Sequence, residues 1–162
     1  PILPAEMILT TATGEKRLMT YESLSDGGFA TGTMLGSGGF IVMDETTCIV
    51  HNTLTFARFY HHESCGQCSP CREGTGWMDK VIKRIELGQG RKEDIDLLVD
   101  VAKKIEGNTI CPLGDAAAWP VAAAIRHFKD EFEYHIRFPE KVKNRDHFVA
   151  EPFQSVKHLV VK

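Results

Sequence analysis

The pattern of hydrophobic positions changes near Asp44. Before it, residues 1–45 contain seven glycines between Gly14 and Gly39 and only short apolar runs, at Ile2-Leu3 and over 39–43. Apolar runs of strand length between turn-forming residues predict strands and turns. A few strands alone are at best marginally stable in water, so we expect this segment to be the C-terminal end of a larger β domain.

From Thr46 the apolar positions recur every three or four residues, which predicts amphipathic helices. Four helices are predicted, over 47–62, 70–87, 92–106 and 116–136. Thr46 or Thr47 is expected to cap the first, Ser69 and Pro70 to begin the second, and Pro120 to begin or kink the fourth. Amphipathic helices on short connections predict a small antiparallel four-helix bundle over 46–136.

Residues 137–162 show no steady period and carry six basic side chains against three acidic ones. Apolar residues recur to the end of this segment, too many for a solvated tail. We expect an extended C-terminal arm that lies along a surface.

The composition excludes some classes of function but does not indicate one. The chain has 162 residues, 43% hydrophobic and 25% charged, which suits a folded core without help from metals or disulfides. Its net charge of −3 does not favour binding to nucleic acid. Its longest nearly apolar run, 116–125, is too short to insert into a membrane directly. The chain starts at Pro1 rather than Met, and we expect it to be a piece of a longer protein.

The cysteines are the main chemical signal. Cys65, Cys68 and Cys71 lie at strict three-residue intervals, Cys111 follows forty residues later, and Cys48 stands apart. Disulfides are disfavoured because the count is odd and neighbouring cysteines in this run would close very tight rings. Cys48 is interpreted as a small buried hydrophobic residue of the first helix.

Three cysteines in one loop plus a distant fourth favour a [4Fe–4S] cluster, which is held by four thiolates. Zinc sites more often use two separated cysteine pairs, but a non-enzymatic zinc-bound interaction module stays open as the alternative. The chain has ligands for only one cluster. Arg72 and the starts of the second and fourth helices are expected to offset the negative charge of the cluster. Gly66, Gly74 and Gly76 are explained either by close approach of the backbone to the cluster or by turns and helix packing.

Two segments also carry a family resemblance. Residues 63–74, ESCGQCSPCREG, and 111–120, CPLGDAAAWP, closely resemble the C-terminal part of the flavin-carrying, NADH-oxidising subunit of respiratory complex I, which is the F subunit of NADH-quinone oxidoreductase. The likeness extends to residues 35–44 and 126–128 and covers most of 1–136. Diaphorase subunits of NAD-dependent hydrogenases and formate dehydrogenases share this module, so the larger complex stays open.

The resemblance implies an α+β fragment, mostly α. Its helical [4Fe–4S] domain would follow the end of a β-grasp, SLBB-type domain at 1–45, with Cys65, Cys68, Cys71 and Cys111 as cluster ligands. In the family, NADH reduces FMN, and electrons pass singly to this cluster and on toward quinone. The glycine-rich flavin and nucleotide loop has no counterpart here, so FMN and NADH would be bound by a missing N-terminal part. The full subunit would be an NADH dehydrogenase, and this fragment alone is not expected to be active.

The same resemblance implies partners and a location. The partners would be other peripheral-arm subunits of complex I, including a [2Fe–2S] subunit and the large iron–sulfur subunit. The protein would be located at the cytoplasmic face of the inner membrane, or on the matrix side in a mitochondrion. The flavin is expected to lie against Pro112, Leu113 and Gly114, because these three residues directly follow Cys111.

Overall fold

Helices dominate the part of the chain that the computed structural model describes, which is residues 2–4, 9–10, 16–17, 38–39, 41–44 and 46–143. They are α1 (Ile49–Glu63), α2 (Ser69–Glu86), α3 (Glu93–Ile105), α4 (Leu113–Arg137) and the short α5 (Pro139–Lys143). Two short strands, β1 (Leu9–Thr10) and β2 (Lys16–Arg17), pair antiparallel with Leu9 opposite Arg17.

The first four helices form the predicted bundle. Each packs on the next, and α4 also packs on α1 and α2. Their apolar stripes meet in one core, in which the fully buried side chains include Val50, Met78, Ile82, Leu98, Val121 and Phe132. Burying such a side chain contributes roughly 1.5–3 kcal/mol, so the four stripes account for much of the stability of the helical region.

Two helices begin at residues other than those predicted. Cys48, not Thr46 or Thr47, caps α1, because both threonine hydroxyls donate to the Asp44 carboxylate in the preceding turn. These hydrogen bonds hold the pKa of Asp44 below its usual value. Cys68 rather than Ser69 is the N-cap of α2, which places Cys71 in the first turn as expected.

The expectation that Pro120 begins or kinks the fourth helix is wrong. Helix α4 already begins at Leu113, and its backbone leaves helical dihedral angles at Phe128 (φ −130°, ψ 31°). A proline inside a helix costs one backbone hydrogen bond. The neighbouring Ala117, Ala118 and Val121 are buried in the bundle, and this packing offsets the loss.

The flanking segments depart from expectation where they are described. Gly39 and residues 41–43 form no strand, and Ile41 and Val42 are exposed, because an apolar run becomes a strand only beside a pairing partner. Arg137 and residues 139–143 are helical rather than extended, and Val142 is buried. The rest of the expected arm, 144–162, lies outside the described residues, and the β-grasp assignment of 1–45 stays a prediction. Among the described helices, none is both long and apolar enough to span a bilayer.

Candidate metal centre

The four cysteines singled out by their spacing line one cavity of about 110 Å³ at one end of the bundle. Its lining is Glu63, Ser64, Cys65, Cys68, Cys71, Thr109, Cys111 and Leu113. Cys71 is buried, Cys68 is half-buried, and Cys65 and Cys111 are exposed. The four thiols therefore face a common space that opens to solvent on one side.

The helix ends place these thiols. Cys65 and Cys68 lie in the connection between α1 and α2, Cys71 lies in the first turn of α2, and Cys111 lies just before α4. Gly66 in this connection has φ +78°, a left-handed conformation that favours glycine. The connection can turn sharply there, so that Cys65 and Cys68 both reach the cavity.

Arg72 holds the same connection in shape. Its guanidinium donates to the Gly66 carbonyl oxygen (Nη1–O 2.7 Å) and to the Ser69 hydroxyl (Nη2–Oγ 3.4 Å). It also donates to the Glu73 carboxylate (Nε–Oε1 2.9 Å), and both of these side chains are about half exposed. Arg72 thus braces the cysteine loop, while its electrostatic role at the cluster stays a prediction.

Two hydrogen bonds reach the thiol sulfurs from groups that the cysteine spacing does not reveal. The Ser64 hydroxyl lies 3.2 Å from Cys71 Sγ, and the Ile110 backbone N–H donates to Cys68 Sγ across an N–S distance of 3.4 Å. Hydrogen bonds to the ligand sulfurs are among the factors that set the reduction potential of an iron–sulfur cluster. A polar residue beside the cysteine run was the only sequence signal for Ser64, and Ile110 gave none.

Helix electrostatics also suit an anion here. Both α2 and α4 begin at the cavity, so the positive ends of two helix dipoles point toward the thiols. Free backbone N–H groups at helix starts make natural anion sites. This arrangement agrees with the expected support from the starts of the second and fourth helices.

The three residues after Cys111 lie in different surroundings. Leu113 lines the cavity, Pro112 is exposed, and Gly114 is buried against Thr109. The Thr109 hydroxyl donates to the Cys111 carbonyl oxygen (2.9 Å), and a Cβ at position 114 would collide with that hydroxyl. Of the three residues expected to face the flavin, Leu113 therefore lies on the cavity surface, and contact with flavin stays a prediction.

The cavity fits an iron–sulfur cluster better than one zinc ion. Tetrahedral Zn²⁺ draws its sulfurs to about 2.3 Å, and hence to within about 4 Å of one another. Among the described residues, the set whose three ligand atoms lie within 4.8 Å of one another is Cys48, Glu131 and His135. None of these three residues lines the four-cysteine cavity. Four thiols around one cavity match the donor set of a [4Fe–4S] cluster.

Two histidines and two glycines near the cavity make contacts elsewhere. The His61 imidazole lies 3.3 Å from the Thr75 hydroxyl and, like His62, is not among the residues lining the cavity. A Cβ on Gly74 would meet Ile105 and one on Gly76 would meet His61, so helix packing accounts for these two glycines.

Cys48 packs against the hydrophobic core, as expected of it, but it also makes polar contacts. It is half-buried, and its sulfur accepts the His51 backbone N–H at 3.5 Å as the cap of α1. Its sulfur also lies 3.4 Å from His135 Nε2. Cys48 therefore combines core packing with polar contacts, and it does not line the four-cysteine cavity.

Comparisons with known proteins agree with the geometry. Residues 51–135 match the profile of a family described as the NADH-ubiquinone oxidoreductase-F iron–sulfur binding region. The F subunit of NADH-quinone oxidoreductase from Rickettsia bellii is 48% identical over 137 residues, covering 85% of this chain and 30% of that protein. The corresponding protein of Rickettsia typhi is 52% identical over 119 residues, covering 74% and 27%.

A solved structure shows the same fold. The crystal structure of an NAD⁺-reducing [NiFe]-hydrogenase in the H₂-reduced state matches with a TM-score of 0.61 and 30% identity, covering 79% of this chain and 22% of that one. The chain spans less than a third of the length of the curated relatives it matches.

Proposed function

Since the chain belongs to the family of NADH-ubiquinone oxidoreductase-F iron–sulfur binding regions, we propose that it holds one [4Fe–4S] cluster on Cys65, Cys68, Cys71 and Cys111 as an electron-transfer module. The cluster would accept single electrons from an NADH-reduced FMN and release them toward quinone. The observation that carries the proposal is that these four thiols, from two distant segments, line a single cavity.

The residues of this chain supply the setting for electron transfer. When bound, the cluster takes up and gives back one electron at a time. An added electron would increase the negative charge of the site. The starts of α2 and α4 and the Ile110 N–H direct their positive ends toward it, and the Ser64 hydroxyl lies beside the Cys71 sulfur. Because these groups are already held in place by the fold, little rearrangement would accompany the change in charge.

The exposed edge of the cavity is the proposed entry and exit surface. Cys65 and Cys111 are exposed there, and Ile110 beside Cys111 is 85% exposed. A large apolar side chain next to exposed ligands suits a contact with another protein surface. Leu113 would give the cavity its apolar wall on the side of the flavin.

The whole subunit would be the oxidoreductase. FMN and NADH would be bound by residues outside this chain, and its partners would be peripheral-arm subunits of complex I, including a [2Fe–2S] subunit and the large iron–sulfur subunit. Its place would be the cytoplasmic face of the inner membrane, or the matrix side in a mitochondrion. The names of the two Rickettsia relatives support this assignment.

A diaphorase role is the second candidate. The match to an NAD⁺-reducing [NiFe]-hydrogenase favours it, because the module there belongs to an enzyme that reduces NAD⁺. The chemistry of the cysteine site would be the same in both complexes.

A reductive titration of the reconstituted chain tests the proposal. We expect one electron per chain to produce a paramagnetic signal by EPR, and Cys65→Ser to remove it. A chain that binds zinc through Cys65, contains no sulfide and gives no signal would instead support the zinc-bound interaction module.

A further inference from the structure

A second set of metal-ligating side chains lies at the opposite end of the bundle. Ligand atoms of Cys48, Glu131 and His135 all fall within 4.8 Å of one another. Glu131 and His135 are four residues apart on α4 and so share one face of that helix. Cys48 precedes α1, and the 15 residues of α1 span about 22 Å to the four-cysteine cavity.

The three donors are already oriented toward one another. Cys48 Sγ lies 3.4 Å from His135 Nε2, and the Ile49 backbone N–H donates to Glu131 Oε1 at 2.8 Å. Cys48 Sγ also accepts the His51 backbone N–H as the N-cap of α1.

Glu86, near the end of α2, acts on the other side of the imidazole. Its Oε2 lies 3.5 Å from His135 Nδ1, and its Oε1 lies 3.2 Å from His51 Nδ1. A carboxylate placed beside the Nδ1 of a ligand histidine is typical of zinc sites, where it leaves the Nε2 lone pair for the metal. Nε2 is the atom of His135 that faces Cys48.

The charges in this cluster also favour a cation. Glu86 and Glu131 are 3% and 5% exposed, and the imidazole of His135 is 1% exposed. Buried carboxylates are retained in proteins when they are paired or coordinate metals. Burial, and then the carboxylates of Glu131 and Glu86, raise the pKa of the Cys48 thiol, so the metal-free thiol keeps its proton. A metal would displace that proton as the sulfur–metal bond forms.

We infer that Cys48, Glu131 and His135 form a Zn²⁺ site with a water as fourth ligand, and that Glu86 orients His135. Mixed sulfur, nitrogen and oxygen donors suit zinc. The site would tie the start of α1, the end of α2 and the second half of α4 together. It would not change oxidation state, since zinc has no redox chemistry in proteins.

Cobalt binding tests this inference in the full chain with its iron–sulfur cluster assembled. Because Cys48 is then the thiol outside the cluster, Co²⁺ alone should give a thiolate-to-cobalt charge-transfer band at one equivalent. Zn²⁺ should displace Co²⁺ and raise the melting temperature. We expect His135→Gln to abolish the band, Glu86→Gln to weaken Co²⁺ binding about 10- to 100-fold, and the exposed His62→Gln to leave both unchanged.

The result that would overturn the site is a wild-type chain with no band, or a His135→Gln chain with the wild-type band. If His135→Gln does not fold, Glu131→Gln takes its place, since its amide oxygen still accepts the Ile49 N–H.

A variant with serine at Cys65, Cys68, Cys71 and Cys111 separates this site from the cluster. Its single remaining thiol is Cys48. A cobalt band in this folded variant supports the zinc site even if no cluster assembles in the wild type, and its absence contradicts the site. Iron and sulfide content reports on the cluster independently.

Discussion

The Ile110 backbone N–H donates to Cys68 Sγ across 3.4 Å, although the two residues are 42 positions apart in the sequence. This bond joins the loop before α4 to the start of α2. Helices α2 and α3 pack on each other, as do α3 and α4, and this packing brings the two segments together. The four thiols are therefore positioned by the bundle as well as by any group bound between them.

Cys111→Ser should leave the chain folded but disturb the cluster, because one of the four thiolates is lost while the helices keep their packing. We expect lower iron and sulfide content and an altered EPR signal. Far-ultraviolet circular dichroism should be unchanged.

Cys48→Ser is the matched control, since it removes a thiol outside the cavity and keeps an N-cap acceptor for α1. Its iron content should equal that of the wild type. An unchanged spectrum in Cys111→Ser would remove Cys111 from the ligand set.

Gly66→Ala should destabilise the chain by about 1–2 kcal/mol, because any other L-residue is strained at φ +78°. The free energy of unfolding in urea measures the loss. Gly39→Ala is the control, since no atom lies within 4 Å of a Cβ there and its φ is not left-handed. Equal values for the two variants would show that the cysteine loop does not depend on this turn.

Arg72 can be tested by comparing lysine with glutamine. Lysine keeps the charge but loses the planar fork that donates to Gly66 and Ser69. We expect both variants to shorten the lifetime of the cluster in air, and Arg72→Gln also to lower its reduction potential. A wild-type lifetime in Arg72→Lys would mean that charge, not the brace on the loop, is what matters.

Asp94→Asn should cost about 2–3 kcal/mol in urea unfolding, since a nearly buried carboxylate that binds the Arg84 guanidinium and the Arg91 backbone N–H is neutralised. Asp100→Asn is the matched change at an exposed pair with Lys104 and should stay within about 0.5 kcal/mol. Similar losses in both variants would contradict a special role for the buried pair.

Much of the helical bundle was predictable, because its helices are long and their apolar stripes are regular. Helix ends were less so. The start of α1 was misplaced because the Asp44 turn uses the threonine hydroxyls that would otherwise cap the helix. A cysteine cap is rarer and carries no clear sequence signal.

The four-cysteine site was predictable in its members but not in its supports. Spacing alone selected Cys65, Cys68, Cys71 and Cys111, whereas the Ile110 N–H reaches Cys68 only through tertiary packing. The cluster of Cys48, Glu131 and His135 was missed for the same reason, since α1 and α4 must pack before these side chains meet.

Iron and acid-labile sulfide content per chain, measured after anaerobic purification, tests the central claim most directly. The account predicts about four of each per chain in the wild type, as one [4Fe–4S] cluster requires. A chain without sulfide, whose bound metal is a single zinc lost in Cys65→Ser, would contradict it.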